Sequence, residues 1–304
     1  MTDFPTMTVG IVLFNGDPGL LDQCLASVAR EAAAADVDVE VLLFDNASTE
    51  PVRPPAGAVV IRCEDNLGFG RACNRIVSQA GGAVTLLLNP DAALGPGSLT
   101  PLLEAARAAR PGEMLWGGYL CRDGQGQVDA FWHWWSSAEH LLRRPRVAAR
   151  LPTAGDAPME VEKLCGGALA GFTSDLRTLG PFDESFFLYG EDADLSLRAR
   201  AAGYRLVLLP AMVVEHYAAA SMAAHSGLVE EARADAALRV VALHQPYFYG
   251  LLARLDMVLF TLAGLRHGRS STSARSRLRR LRQVRRWGLH RTVPPFAPRR
   301  SPHE

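Results

Sequence analysis

Ala83 to Asp91 reads AVTLLLNPD, a short apolar run that breaks into Asn89-Pro90-Asp91. A run this short, bounded by turn residues, is the pattern of a strand buried on both faces. Proline cannot donate to a ladder, and Asn and Asp favour a turn, so the strand ends where the polar residues begin. The same arrangement recurs outward in both directions. Thr8 to Phe14 (TVGIVLF), Val39 to Phe44 (VEVLLF), Val59 to Arg62 and Met114 to Leu120 read as further strands. Between them Leu20 to Ala35, Arg71 to Gln79 and a stretch capped by Ser98 and running to Ala109 carry helical spacing. Near-continuous apolar strands alternating with helices predict an α/β domain, its mostly parallel sheet covered by helices on both faces.

Ligands of such sheets bind beyond the carboxyl ends of the strands. The residues due there are Phe14-Asn15, Asp45-Asn46, Asn66 and Asn89-Pro90-Asp91. Asn-Pro-Asp presents a carboxylate on a rigid turn, suited to hold a hard divalent ion against a diphosphate; it is equally a good turn and nothing more. Asp45 is open to two readings as well, an Asx-turn or an acceptor for a base edge.

A second informative stretch is Phe182 to His216, FDESFFLYGEDADLSLRARAAGYRLVLLPAMVVEH. Glu191, Asp192 and Asp194 crowd the first turn of a short helix that Gly203 closes, and an apolar strand then runs to Glu215-His216. The helix dipole favours ionised carboxylates at that end, whereas mutual repulsion raises the pKa of at least one of them. A carboxylate so placed can serve as a general base; it can also simply decorate a helix N-terminus. A lone histidine after a strand is ordinarily a core residue.

Composition narrows the function classes. The chain has 304 residues, 48% of them apolar, enough for one large domain or one with an appendage. Cys24, Cys63, Cys73, Cys121 and Cys165 are scattered without a CxxC pair, which argues against a disulfide framework and a zinc site. MTDFPTMTVG lacks a basic start and an apolar core, so no signal peptide is expected. The most apolar window, Tyr247 to Leu265, is interrupted by Arg254 and Asp256 and falls short of a spanning helix. There is no GxxxxGK[ST] loop and no GxSxG elbow. Gly68-Phe69-Gly70 starts like a dinucleotide fingerprint, but Cys73 stands at its third glycine.

Taken in order, VLLFDNASTE, NLGFGRACN (Asn66 to Asn74), LLLNPDA, GPFDESFFLYGEDADLSLR and the strand ending at His216 resemble the inverting family 2 glycosyltransferases of the nucleotide-diphospho-sugar (GT-A) fold. More narrowly, the chain is similar to actinobacterial rhamnosyltransferases that act on a lipid-linked cell-wall precursor. The resemblance runs from about Thr8 to His225. It implies that Asp192 is the catalytic base, that Asp45 contacts the pyrimidine, and that Asn15, Asn66, Arg71 and Asn89 line the nucleotide and sugar pocket. It implies that Asp91 and His216 ligate a divalent metal, Mg2+ or Mn2+. Asn89 stands where the usual DxD has its first acid, and Leu-Phe-Asn precedes position 16 where Thr-Tyr-Asn is common. The implied donor is a nucleoside-diphospho-sugar, with dTDP-rhamnose ahead of galactofuranosyl or other hexosyl donors. The implied acceptor is polyprenyl-linked or another glycan, in cell-wall or natural-product chemistry.

Residues 266–304 hold twelve arginines and one acid, so an acidic body of about −11 carries a tail of about +11. Two domains follow, 1–225 for transfer and 226–304 as a helical, arginine-rich extension. Leu278, Leu281, Val284 and Trp287 recur every third residue among Arg279, Arg280, Arg282, Arg285 and Arg286, a pattern suited to a helix in an anionic membrane interface. The rival is a tail folded against the acidic body. Peripheral attachment to the inner, cytoplasmic face of the cell membrane is therefore expected. No nucleic-acid partner is expected, since the acidic body would repel one and the tail's arginines carry only Trp287 for stacking. A nucleotidyltransferase would need a glycine-rich basic loop after the first strand, where Phe-Asn-Gly-Asp-Pro stands instead. The insert Cys121 to Pro158 carries Phe131-Trp132-His133-Trp134-Trp135, which could stack on a sugar, touch lipid or pack locally.

Overall fold

A computed structural model describes residues 6–50, 52, 57–217, 226–267 and 271–296. The expected domain limit at residue 225 and the last residues of the basic tail lie outside them. In chain order the strands are β1 (Thr6–Leu13), β2 (Asp38–Asn46), β3 (Ala58–Cys63), β4 (Val84–Leu88), β5 (Ala92–Leu94), β6 (Met114–Arg122), β7 (Gln125–Gly126), β8 (Met159–Glu160), β9 (Ala168–Phe172) and β10 (Arg205–His216). The helices are α1 (Pro18–Ala34), α2 (Phe69–Gln79), α3 (Leu99–Ala108), α4 (Ser137–Ala148), α5 (Thr173–Leu179), α6 (Glu191–Ala201), α7 (Ser226–His244), α8 (Tyr247–His267) and α9 (Ser271–Trp287).

The strands form one sheet in the order β3-β2-β1-β4-β9-β6-β10-β5. β1, β2, β3, β4, β6 and β10 run parallel, while β9 lies antiparallel between β4 and β6. Every residue of β4 and β9 is buried, as only a sheet covered on both faces allows. Asp17 caps α1 by accepting from the N–H groups of Gly19 and Leu20. Ser98 precedes α3 as read, but its hydroxyl donates to the Val213 carbonyl at 2.7 Å instead of capping the helix.

The C-terminal stripe turns inward. Trp287 is fully buried, packed with Leu238 and Val293 and lined by Val284 and Met257. Its indole N–H donates to Asp235 at 2.9 Å. Arg280, Arg282 and Arg286 meet Glu230, Glu231 and Asp235 of α7. Phe296, beyond α9, rests edge-on against Phe187. The membrane-facing stripe expected from spacing is thus corrected: the acidic face of α7 neutralises the arginines, so burial of Trp287 and Val284 proceeds without stranding charge. Leu278 alone of the four stays well exposed. Among the described residues no helix is long and apolar enough to cross a membrane.

Candidate active site

β5 pairs antiparallel with the end of β10, with His216 opposite Ala92, so the long strand delivers its histidine to the Asn89-Pro90-Asp91 turn. His216 Nε2 lies 3.4 Å from Asp91 Oδ1 and 3.1 Å from Asn89 Nδ2. Its Nδ1 faces Gln127 Oε1 at 3.5 Å. One tautomer satisfies Gln127 and Asn89 together: Nδ1 carries the proton and donates to Gln127 Oε1, and Nε2 accepts from Asn89 Nδ2, beside the Asp91 carboxylate. That is the state a metal-binding imidazole needs, oriented by a second hydrogen bond on the far nitrogen. Among the described residues no group of three or more His, Cys, Asp or Glu side chains gathers to hold an ion. Two protein ligands with the rest left to phosphate oxygens and water is how such ions sit against a diphosphate, so the residues present fit the group.

The residues expected at the nucleotide form a separate, mutually bonded network. Asn15 takes a left-handed backbone (φ 48°), where its Oδ1 accepts from Thr49 N at 2.8 Å and its N–H donates to Ser48 Oγ at 3.1 Å. Asp45 is buried with both oxygens engaged: Oδ1 accepts from Ser48 N at 2.9 Å, and Oδ2 meets Arg62 Nη1 at 2.6 Å. The bond falls three residues on, so Asp45 anchors the turn at Ser48 without forming the two-residue Asx-turn. Asn66 Oδ1 accepts from Asn46 Nδ2 and Gly68 N, both at 2.9 Å. Asn46, placed at the ligand edge by the sequence but given no role there, is buried, and its Oδ1 accepts from Leu67 N at 2.8 Å. The loop then needs a glycine: Gly68 has φ +85°, and a Cβ there would lie 2.2 Å from the Phe187 carbonyl oxygen. Arg71 points to Glu184, at 3.2 Å to its carbonyl and 3.5 Å to its carboxylate.

The three carboxylates of α6 take three different states. Glu191 is buried, with one oxygen lacking a partner, and burial together with neighbouring Asp192 raises its pKa to about 8. Asp194 is buried between Arg198 and His244, each at 2.8 Å. Asp192 alone is partly open, with its Oδ1 accepting from Ala193 N at 2.7 Å and its Oδ2 3.7 Å from Lys163 Nζ. Lys163 is the chain's one lysine. Burial works to lower its pKa, but the neighbouring Asp192, Cys165, Asp129 and Glu191 together outweigh it and hold it above the ordinary value, so it is a cation. His133 stands near both, its pKa lowered to about 4 by burial and by Lys163, and its Nε2 has no partner.

A cavity of about 490 Å3 opens at the Asp91–His216 pair and is lined also by Phe69, Arg122, Gln127, Tyr189 and Arg233. Gly166 and Gly167 separate this pair from the base. A Cβ on Gly167 would lie 3.3 Å from Asn89 Nδ2, and one on Gly166 would lie 4.0 Å from Asp192 Cβ. The structure therefore brings Asn89, Asp91 and His216 to the cavity, whereas Asp192 does not line it and lies beside Gly166. Arg71 does not line the cavity; Arg122 and Arg233 supply its positive charge. Lys163, Gln127, Tyr189 and Arg233 were missed in the sequence. Only Lys163 carried a usable signal, a solitary lysine next to an apolar run.

Comparison with known proteins bears on the fold and the family. The glycosyl transferase family 2 pattern matches residues 8–145. The chain is 30% identical over 318 aligned residues to an N-acetylglucosaminyl-diphospho-decaprenol L-rhamnosyltransferase of Mycobacterium tuberculosis, covering 93% of this chain and 97% of the relative. A mannosyltransferase from Pyrobaculum calidifontis, solved with GDP-Man and Mn2+, superposes with a TM-score of 0.58 at 15% identity, over 96% of this chain and 89% of that one. GalNAc-T7, solved with UDP, GalNAc and Mn2+, gives 0.55 at 19% identity over 69% of this chain, which spans 43% of that structure. At such identities the two structures speak for the GT-A fold alone. With a relative matched along nearly its whole length, the chain is a glycosyltransferase and belongs to glycosyl transferase family 2.

Proposed function

We propose that the protein transfers L-rhamnose from dTDP-rhamnose, with inversion, to a polyprenyl-diphosphate-linked N-acetylglucosamine. What carries the chemistry is the placement of Asp192 across the Gly166-Gly167 floor from Asn89, Asp91 and His216. What supports the substrates is the relative named for that donor sugar and that lipid-linked acceptor. Residues 1–225 carry the donor chemistry, joined by Arg233 of α7, and α7 to α9 form the acceptor side.

In this reading the Asp192 carboxylate takes the proton of the acceptor hydroxyl as its oxygen bonds to the anomeric carbon. The bond from that carbon to the diphosphate oxygen breaks, its electron pair leaves with the nucleoside diphosphate, and the configuration inverts. Ala193 N–H fixes one carboxylate oxygen and Lys163 faces the other, so the base is oriented before substrate arrives. A positioned base of this kind contributes about 10²–10⁴ in rate. Arg122 and Arg233 face the phosphates. Asp91 and His216 would hold a divalent ion, whose bound charge offsets that developing on the diphosphate. One oxygen and one imidazole ligand suit manganese better than magnesium. Asn15, Asp45, Asn66 and Asn46 shape the nucleoside side, with Asp45 acting through the turn it anchors. Because the acceptor is confined to a bilayer, the protein works peripherally, at the inner face of the cell membrane.

The test is a donor panel. Purified protein is incubated with dTDP-rhamnose, UDP-galactofuranose and other nucleoside-diphospho-hexoses, and with N-acetylglucosaminyl-diphospho-polyprenol. Transfer from dTDP-rhamnose with an inverted linkage is expected. Transfer only from another donor would replace the sugar assignment, and no transfer to any lipid-linked acceptor would end the reading.

A further inference from the structure

A second cavity, about 400 Å3, lies between α4, α7, α8 and α9. Its walls are Trp135, Leu141, Ala237, Val241, Met257 and Phe260, and Arg280, Glu230 and Asp256 sit among them. Arg233 lines both this cavity and the donor cavity. That guanidinium lies 4.8 Å from the centre of the Tyr189 ring, itself a wall of the donor cavity. On its other flank Trp135 meets His133 edge-on at 4.6 Å. The same Trp135 packs against the cluster of Phe186, Ala193 and Ala236, and Ala193 follows Asp192 in α6. The apolar groove thus abuts both the donor site and the helix that bears the base.

Exposed apolar side chains stand near it. Phe248, Leu252, Leu255, Leu259 and Leu262 recur along α8 at steps of four and three, on the face turned away from the groove-lining Ala253, Met257 and Phe260, and are 43–63% exposed. Leu141 and Leu142 of α4 are 66% and 71% exposed, and Leu141 lines the groove. A bilayer covering these side chains would present an isoprenoid chain at Leu141, and the apolar walls Val241, Met257 and Phe260, with the Arg233 guanidinium beyond, match that chain and its diphosphate.

We infer that this groove receives the first isoprene units of the lipid-linked acceptor, with the acceptor diphosphate at Arg233 and its sugar reaching toward Asp192. The inference rests on the proposed lipid-linked acceptor and adds where the lipid lies. Apolar burial rewards each methylene, so acceptors with longer chains are used better until the groove is full.

Transfer is measured to decaprenyl-diphospho-N-acetylglucosamine and to its citronellyl analogue, in detergent, with the unsubstituted protein and with Ala237→Trp. Ala237 is exposed in the groove, so tryptophan there fills it from an open position. The decaprenyl to citronellyl ratio of kcat/KM is expected to fall at least about tenfold in the variant. In parallel, a diazirine on the first isoprene unit is expected to label peptides of α4, α7 or α8 in the unsubstituted protein, a readout that does not depend on the variant folding. An unchanged ratio, or labelling confined to other elements, overturns the groove while lipid-linked transfer stands. No use of either acceptor overturns the functional reading and the groove with it.

Discussion

Replacing Trp287 by alanine asks whether the arginine-rich C-terminal helix belongs to the folded body or to a membrane. The indole is fully buried against Leu238 and Val293, with Arg239 and Arg254 guanidinium groups 5.2 and 5.5 Å from its ring. Emptying such a site costs about 3–5 kcal/mol for tryptophan to alanine. Trp287→Phe keeps most of the packing but removes the N–H that Asp235 accepts at 2.9 Å. Asp235 retains Arg239 and Arg286, so this loss costs about 1–3 kcal/mol, the range for a hydrogen bond to a charged group. The order alanine worse than phenylalanine, with both well above a surface change, is the structural signature. The assay is urea unfolding followed by far-UV circular dichroism, with hydrogen exchange over α7–α9 to catch those helices if they open as a separate unit. If both variants stay within about 0.5 kcal/mol of the parent, as an exposed position would, the packed account of Trp287 is wrong and an interfacial stripe regains its case.

Asp192→Asn keeps the shape and removes the base; kcat is expected to fall about a hundredfold or more with donor Kd little changed, and near-normal turnover would move the base to another group. Chelation is expected to abolish transfer and Mn2+ or Mg2+ to restore it, while Asp91→Ala and His216→Ala each weaken metal-dependent donor binding by calorimetry; full activity in excess chelator would return His216 to a structural role. Glu191 has its pKa raised in the folded state from 4.5 to about 8, so the unfolded chain binds fewer protons than the native one between those values. Its burial therefore costs nothing below that window, and stability falls as pH rises through it. Glu191→Gln is expected to flatten the decline in Tm between those pH values, and parallel Tm profiles for the two proteins would show that Glu191 ionises freely.

The sheet was legible because its strands are apolar on both faces and broken by Gly, Pro, Asn and Asp. β9 was not: the sequence reading placed no strand at Ala168–Phe172, a buried run of only five small and apolar residues, and its reversed sense comes from pairing with β4 and β6. The tail failed for a related reason. Spacing shows that a helix has an apolar face and says nothing of what covers it. Leu278, Leu281, Val284 and Trp287 fit a bilayer and a helix pair equally well, and the acids of α7 decided for the pair. Conversely, the exposed row on α8 was hidden in a window apolar nearly all round. At the site, Asp91 and His216 came through resemblance, but Gln127, which orients His216, and Arg233, which lines both cavities, arrive by tertiary packing from segments with no motif.

Three acids within four residues could have shared one role, and the packing around α6 separates them. Glu191 faces inward, where charge is disfavoured, and burial together with the neighbouring Asp192 raises its pKa to about 8. Asp194 is spent on structure: Arg198, which it binds, also donates to the carbonyls of Leu179 and Pro181, and His244 binds it from α7. The helix that carries the base is therefore clamped on one side by the loop entering the site and on the other by the C-terminal helices. Those helices also form the groove and place Arg233 at its inner end. A shift of α7 would thus move the proposed acceptor groove and Asp192 together, which in the proposed mechanism keeps the attacking hydroxyl in register with the carboxylate that takes its proton. Effective catalysis by proximity demands that coupling, because a misplacement on the order of 1 Å can cost about a hundredfold in rate.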